Sequence, residues 1–198
     1  RSSDLGTELT LNTDTAISIE FTVQQRLIVL RRGELFINTG KDSKTRDLLA
    51  QTPFGHVQPV GTRFIVRLNE YEAKVTVQQG AVKLAPTMGD KSAVNTVAAG
   101  ETWLMSAQKN QRAPVQVISP TAWLDGSIAG DNMPLHLLLS ELSRYRVGII
   151  RCEENIKNLA VSGVYHLYDS DKTLRFLSQS YAVNVRYFSR FLVMVSAK

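Results

Sequence analysis

Apolar and polar residues alternate with period two through the first half of the chain. The runs are Leu9-x-Leu11, Ala16-Ile17-x-Ile19-x-Phe21-x-Val23, Leu27-Ile28-Val29-Leu30, Leu35-Phe36-Ile37, Phe64-x-Val66, Val75-x-Val77 and Val82-x-Leu84. Such alternation, rich in β-branched residues, predicts strands. Gly33, Gly40, Gly55, Gly61, Gly80, Gly89 and Gly100 punctuate the runs and read as turns. No apolar stripe of helical period is sustained before Ala107. Residues 1–112 are therefore expected to form an all-β, hairpin-rich subdomain, a two-layer or solenoid-like stack of short strands.

The pattern changes after a polar, Pro-bearing connector, Lys109-Asn110-Gln111-Arg112-Ala113-Pro114. A short edge strand is predicted at Trp123–Ile128. A helix follows, with Asp131 or Asn132 to cap it and Pro134 in its first turn, where a missing N–H costs nothing. Leu135, Leu138, Leu139 and Leu142 then fall at i, i+3, i+4 and i+7, one helix face. Val147–Arg151 and Val161–Leu167 read as extended. A second helix is predicted with Asp169 or Asp171 as its cap and Leu174, Leu177 and Tyr181 buried. Val183-x-Val185-x-Tyr187 and Phe191–Val195 close the chain as a hairpin about Ser189-Arg190. Residues 113–198 thus read as a duplicated βαβ unit with two helices on one face of a small mixed sheet, and the whole chain as α+β.

Composition narrows the chemistry. The 23 basic and 18 acidic residues leave a net charge of +5, but the excess is scattered, with only Arg31-Arg32 and Arg144-x-Arg146 clustered, so no nucleic-acid footprint is read. No apolar run approaches the roughly 20 residues that span a bilayer. The lone Cys152 is followed by Glu153-Glu154, whose charges oppose thiolate formation. His56, His136 and His166 stand apart from one another and from other ligand-type residues at metal-binding spacing, and no nucleotide loop or nucleophile elbow is present. No cofactor, metal or catalytic role is predicted. Asp169-x-Asp171 is read as capping.

Four blocks resemble the FecR family of transmembrane sigma-factor regulators: Gly33-Glu34-Leu35-Phe36, Gly61-Thr62-Arg63-Phe64-Ile65-Val66, Val77-Gln78-Gln79-Gly80-Ala81-Val82 and Ala99-Gly100-Glu101. Trp123-Leu124-Asp125-Gly126, Pro134-Leu135, Glu141-Leu142-Ser143-Arg144-Tyr145-Arg146 and Val161-Ser162-Gly163-Val164-Tyr165 continue the likeness and are similar to the STN-type module of secretins and signalling transporters. The resemblance implies the periplasmic domain of a single-pass inner-membrane protein, with a membrane helix and a cytoplasmic sigma-factor-binding segment before Arg1. Its implied partner is the N-terminal signalling domain of a TonB-dependent outer-membrane transporter, commonly a siderophore receptor. Regulated proteolysis and release of an extracytoplasmic-function sigma factor are implied downstream.

Two surfaces are expected to meet that partner. One is the Leu-rich helix and its end, Leu135, Leu137, Leu138, Leu142, Arg144 and Tyr145, where the leucines exceed the stripe that a single core requires. The other is an open sheet edge at the final hairpin with Tyr187, Phe188 and Phe191, which a partner strand or a second copy, giving a homodimer, can extend. The alternative is a secretin-like cell-envelope assembly module.

Overall fold

The alternating runs become strands because successive side chains fall on opposite faces and one of those faces is buried. In Gln25–Arg32, for example, Arg26, Ile28 and Leu30 are buried while the residues between them are partly exposed. A computed structural model describes residues 2–4, 6–40, 46–90 and 93–198, with the backbone alone for Ser2–Asp4. Contacts divide the chain into two units, Arg1–Val115 and Gln116–Lys198. Few helices and much strand make it an α+β protein.

The first unit contains β1 (Ser2–Asp4), β2 (Thr7–Leu11), β3 (Ala16–Phe21), β4 (Gln25–Arg32), β5 (Glu34–Asn38) and β6 (Asp47–Thr52). It continues with β7 (Gly55–Leu68), β8 (Ala73–Pro86), β9 (Asn95–Ala98), β10 (Thr102–Met105) and β11 (Asn110–Arg112). Among the described residues these form one sheet in the order β1-β2-β5-β7-β6-β4-β3, and β8 extends it from β7, carrying β9 and β10. Pairing is antiparallel except between β4 and β6. Ile28, Leu35, Val57, Phe64, Val75 and Leu84 meet in its core.

The expectation of uniformly short strands is corrected at β7 and β8, each 14 residues long. Gly61 and Gly80 lie inside these strands, whereas Gly55 opens β7 directly after the Pro53-Phe54 turn. Gly61 and Gly80 take φ of +60° and +79°, and the register shifts between Val60 and Arg63. The shift lets β7 serve two neighbours, with Val57 opposite Ala50 of β6 and Val66 opposite Leu35 of β5. Thr62 stitches the kink by donating its N–H to Thr39 Oγ1 and its hydroxyl to Ala81 O, at 2.6 and 2.8 Å.

Gly33 does make a turn, between β4 and β5, at φ +86°. A Cβ there would lie 2.3 Å from Thr15 Oγ1 and 2.7 Å from Asp14 O. Gly33→Ala is expected to cost about 2 kcal/mol or more, since the left-handed conformation alone costs a side chain about 1–2 kcal/mol. Urea denaturation measures it, and a loss of only a few tenths would contradict this account of the turn.

Glu101 organises the far end of the first unit. Its carboxylate accepts from Ala98 N–H at 3.1 Å, from Trp103 Nε1 at 3.2 Å and from Arg112. The Ala98 amide, then Arg112 and Trp103, hold this carboxyl below the usual carboxylate range. A depressed value stabilises the fold above the unfolded-state pKa, and that contribution is lost as pH falls through the folded value. Acid titration of the urea midpoint should therefore show a stability loss below about pH 4.3, the ordinary glutamate value, that Glu101→Gln removes.

The second unit opens with a 3₁₀ turn, Ala122–Asp125, where a strand is predicted. Gly126 at φ +71° ends that turn and Trp123 is buried, so the extended segment starts later, at β12 (Ser127–Pro134). Next come α1 (Leu135–Ser143), β13 (Ile149–Cys152), β14 (Ala160–His166), α2 (Ser170–Ser180), β15 (Val183–Ser189) and β16 (Leu192–Ala197). The predicted capping of α1 by Asp131 or Asn132 is corrected, because both lie in β12 and no side chain caps this helix. The amides of Leu135 and His136 instead donate to Leu159 O and Lys157 O, at 2.9 and 3.0 Å. Helix α2 is capped as the sequence indicates, with Asp169 Oδ1 accepting from Lys172 N–H at 2.9 Å.

The single mixed sheet is also corrected. β12 pairs with β14 as one antiparallel ribbon, while β13, β16 and β15 form a separate three-stranded sheet in that order. β13 runs parallel to β16 and β15 antiparallel to it. Leu135, Leu138, Leu139, Leu142, Leu174 and Leu177 are buried in this unit.

Candidate partner-binding surface

The expected contact residues separate cleanly by burial. Leu135, Leu138 and Leu142 are all 0 % exposed, so these three have no surface to offer a partner and serve as core. Their predicted role in contact is corrected on that ground: period-3.6 leucines on a short helix fill the unit's interior first. Leu137, off that face, is half-buried. Arg144 and Tyr145 lie at the end of α1, where Arg144 pairs with Glu141 at 2.8 Å and its guanidinium stacks 5.8 Å from the Tyr145 ring centroid. Tyr145 in turn meets Tyr168 edge-on at 6.2 Å. These contacts tie both residues to the end of α1 and to Tyr168.

The final hairpin gathers the other three. Tyr187, Phe188 and Phe191 are 49 %, 61 % and 46 % exposed. The turn lies at Arg190-Phe191, one residue later than predicted, because Ser189 remains paired opposite Leu192. A register shift between Tyr187 and Ser189 leaves Phe188 bulged and exposed. Arg190 stacks on Phe191 at 4.5 Å, and Arg146 Nη2 donates to Arg190 O at 3.2 Å, which anchors the turn.

Beside this hairpin lies a groove of ≈ 270 Å³ lined by Asp171, Arg175, Ser178, Val185 and Tyr187. Asp171, Arg175 and Ser178 are spaced i, i+4 and i+7 on α2 and so share one helix face. The Tyr187 hydroxyl donates to Asp171 Oδ1 at 3.1 Å, and Arg146 Nη1 stands 3.6 Å from the same oxygen. Burial, followed by the Asp171 charge and hydrogen bond, pushes the Tyr187 hydroxyl above the usual tyrosine value. The groove can hold an extended side chain between a basic and an aromatic wall. Sequence reading missed Arg146, Asp171, Arg175 and Val185 here, although the helical spacing of Asp171, Arg175 and Ser178 was a usable signal.

A second, smaller groove of ≈ 190 Å³ lies between β14 and α2, where exposed Val164 and half-exposed Phe176 flank buried Tyr165. The Tyr165 hydroxyl donates to Ser162 O at 3.1 Å. Burial, then the neighbouring Tyr181, raises its pKa. Burial is also the first cause that raises the Cys152 thiol, ahead of Glu154 and Glu153. Among the described residues no three His, Cys, Asp or Glu side chains gather as metal ligands, and no helix is long and apolar enough to cross a membrane.

Residues 3–83, which contain three of the four blocks quoted for the first unit, match the family model described as FecR protein. This segment is a FecR domain. The FecR match ends inside β8, and the fold of the remainder is matched by structure. Two crystal structures of a protein from Parabacteroides distasonis ATCC 8503, provisionally assigned as an anti-sigma factor, superpose on the chain with TM-scores of 0.72 and 0.74. Each is 20 % identical, with 98 % of this chain and 91 % or 92 % of the other covered. At that identity the likeness shows a shared fold. Among curated proteins none matches the sequence.

Proposed function

We propose that this chain is the periplasmic sensor of a single-pass inner-membrane sigma regulator. It binds the N-terminal signalling domain of a TonB-dependent transporter, of the siderophore-receptor kind, and relays occupancy to an extracytoplasmic-function sigma factor held by a cytoplasmic segment. The observation that carries the reading is the FecR match over residues 3–83. The fold shared with a provisionally assigned anti-sigma factor supports it. The surface of the second unit supports it further, since the exposed aromatic hairpin and the groove beside it suit contact better than turnover.

Titration calorimetry of the chain with a transporter signalling domain tests the reading. Saturable binding with one partner per protomer is expected. Replacing Tyr187 and Phe188 together by alanine should weaken binding at least tenfold, which is about 1.4 kcal/mol. Silence at saturating partner, together with assembly of the chain into rings, would favour the secretin-like alternative.

A further inference from the structure

Antiparallel pairing alternates the backbone groups that each strand spends on its neighbour. Lys198 donates its N–H to Ala182 O at 3.2 Å, and Val183 stands opposite Ala197. Asn184 and Arg186 therefore spend their amides and carbonyls on β16, while Val185 and Tyr187 turn theirs to the opposite flank. The far side of β16 keeps the same alternation: Val195 O accepts from Glu153 N–H, and Ala197 N–H donates to Glu153 Oε2. β16 is thus covered on both sides, by β15 and β13, whereas among the described residues β15 has no strand beyond it. Val183 N–H is satisfied locally by Tyr181 O at 2.8 Å. Val185 and Tyr187 remain as two successive outward-facing positions of an open edge.

The same two residues line the groove under α2. A strand added along β15 would send alternate side chains toward that groove. The charges that would receive them are unequal. Asp171 is engaged by Tyr187 and faces Arg146. The Arg175 guanidinium makes no hydrogen bond or ion pair among the described residues. Arg146 has Nε and Nη1 buried without a hydrogen-bond partner. With Asp171 committed to Arg146 and Tyr187, the exposed Arg175 is the cation lining the groove that is left for a carboxylate to meet.

We propose that β15 and the α2–β15 groove receive an extended strand of a partner protein, with a carboxylate side chain of that strand placed against Arg175. The inference deepens the sensor reading, on which it rests for the partner being a protein. Backbone pairing to Val185 and Tyr187 supplies the attachment, and the carboxylate supplies the selectivity.

The test supplies the strand in cis. A flexible Gly/Ser linker of about ten residues after Lys198, followed by Thr-Val-Glu-Val-Thr, holds the probe at millimolar effective concentration. Amide exchange by NMR reads Val185 and Tyr187. With the Glu tail both amides should exchange at least tenfold more slowly than in the untailed chain. A tail with Lys in place of Glu should protect them about tenfold less, and Arg175→Glu should reverse the preference. Unchanged exchange with the Glu tail, equal protection by the Lys tail, or dimerisation by light scattering with exchange slowed in the untailed chain would each overturn the proposal. The calorimetric titration fails or succeeds separately. Binding of the signalling domain without tail protection removes the strand site and leaves the sensor reading, while tail protection without signalling-domain binding does the reverse.

Discussion

Phe64→Ala is expected to destabilise the first unit by about 3–5 kcal/mol, the usual cost of truncating a fully buried phenylalanine. Phe64 is 0 % exposed and sits in the stretch of β7 that pairs with β5 on one side and β8 on the other. Its ring packs among side chains from several strands, so no single strand can shift to fill the hole. Each unit holds one of the two tryptophans, Trp103 in the first and Trp123 in the second, which allows the loss to be localised. In a Trp123→Phe background, the fluorescence of Trp103, which packs against this core, should unfold at a much lower urea concentration. A midpoint unchanged by the substitution would contradict the placement of Phe64 at the centre of the unit.

Leu138→Ala should cost about 2–5 kcal/mol, whereas Leu137→Ala should cost about 1 kcal/mol or less. The two residues are adjacent in sequence and identical in chemistry. They differ because Leu138 belongs to the buried i, i+3, i+4, i+7 face of α1 and Leu137 does not. Thermal or urea denaturation read through Trp123 measures both, since Trp123 is buried in the same unit. The contrast also separates packing from docking. A Leu138 variant that keeps its fold must keep its affinity for a partner, because a side chain without exposed surface makes no contact there.

Period-two alternation made the strands of the first unit legible, and the leucine spacing made the buried face of α1 legible. Both signals report which side of an element faces the interior, and burial dominates the energetics of each. Sequence reading failed where a residue has two local uses. Gly61 and Gly80 read as turns, yet a positive φ also suits a kink within a long strand, and only the partners of β7 decide between them. Asp131 and Asn132 read as caps, yet the first amides of α1 are satisfied by carbonyls 21 and 24 residues away. The separation of the second unit's strands into two sheets was likewise invisible, because pairing depends on distant neighbours and not on the pattern within a strand.

The candidate surface was legible only in part for the same reason. Aromatic residues clustered at one hairpin could be seen in Tyr187, Phe188 and Phe191, since they are close in sequence. The groove takes its charges, Asp171 and Arg175, from α2 and its Val185 and Tyr187 wall from β15, with Arg146 reaching Asp171 from the segment after α1, and their meeting is a product of the fold. Arg144, expected at the contact surface, pairs with Glu141, whereas Arg146, two residues on, reaches toward Asp171.

Hydrogen exchange of the chain, alone and saturated with a transporter signalling domain, reads directly whether the final hairpin receives the partner. Protection is predicted to appear in β15 and at the Arg190-Phe191 turn, centred on Val185 and Tyr187, with the interior of α1 unchanged. Protection confined to the first unit, or none at saturation, would contradict the assignment of the final hairpin as the surface that receives the signal.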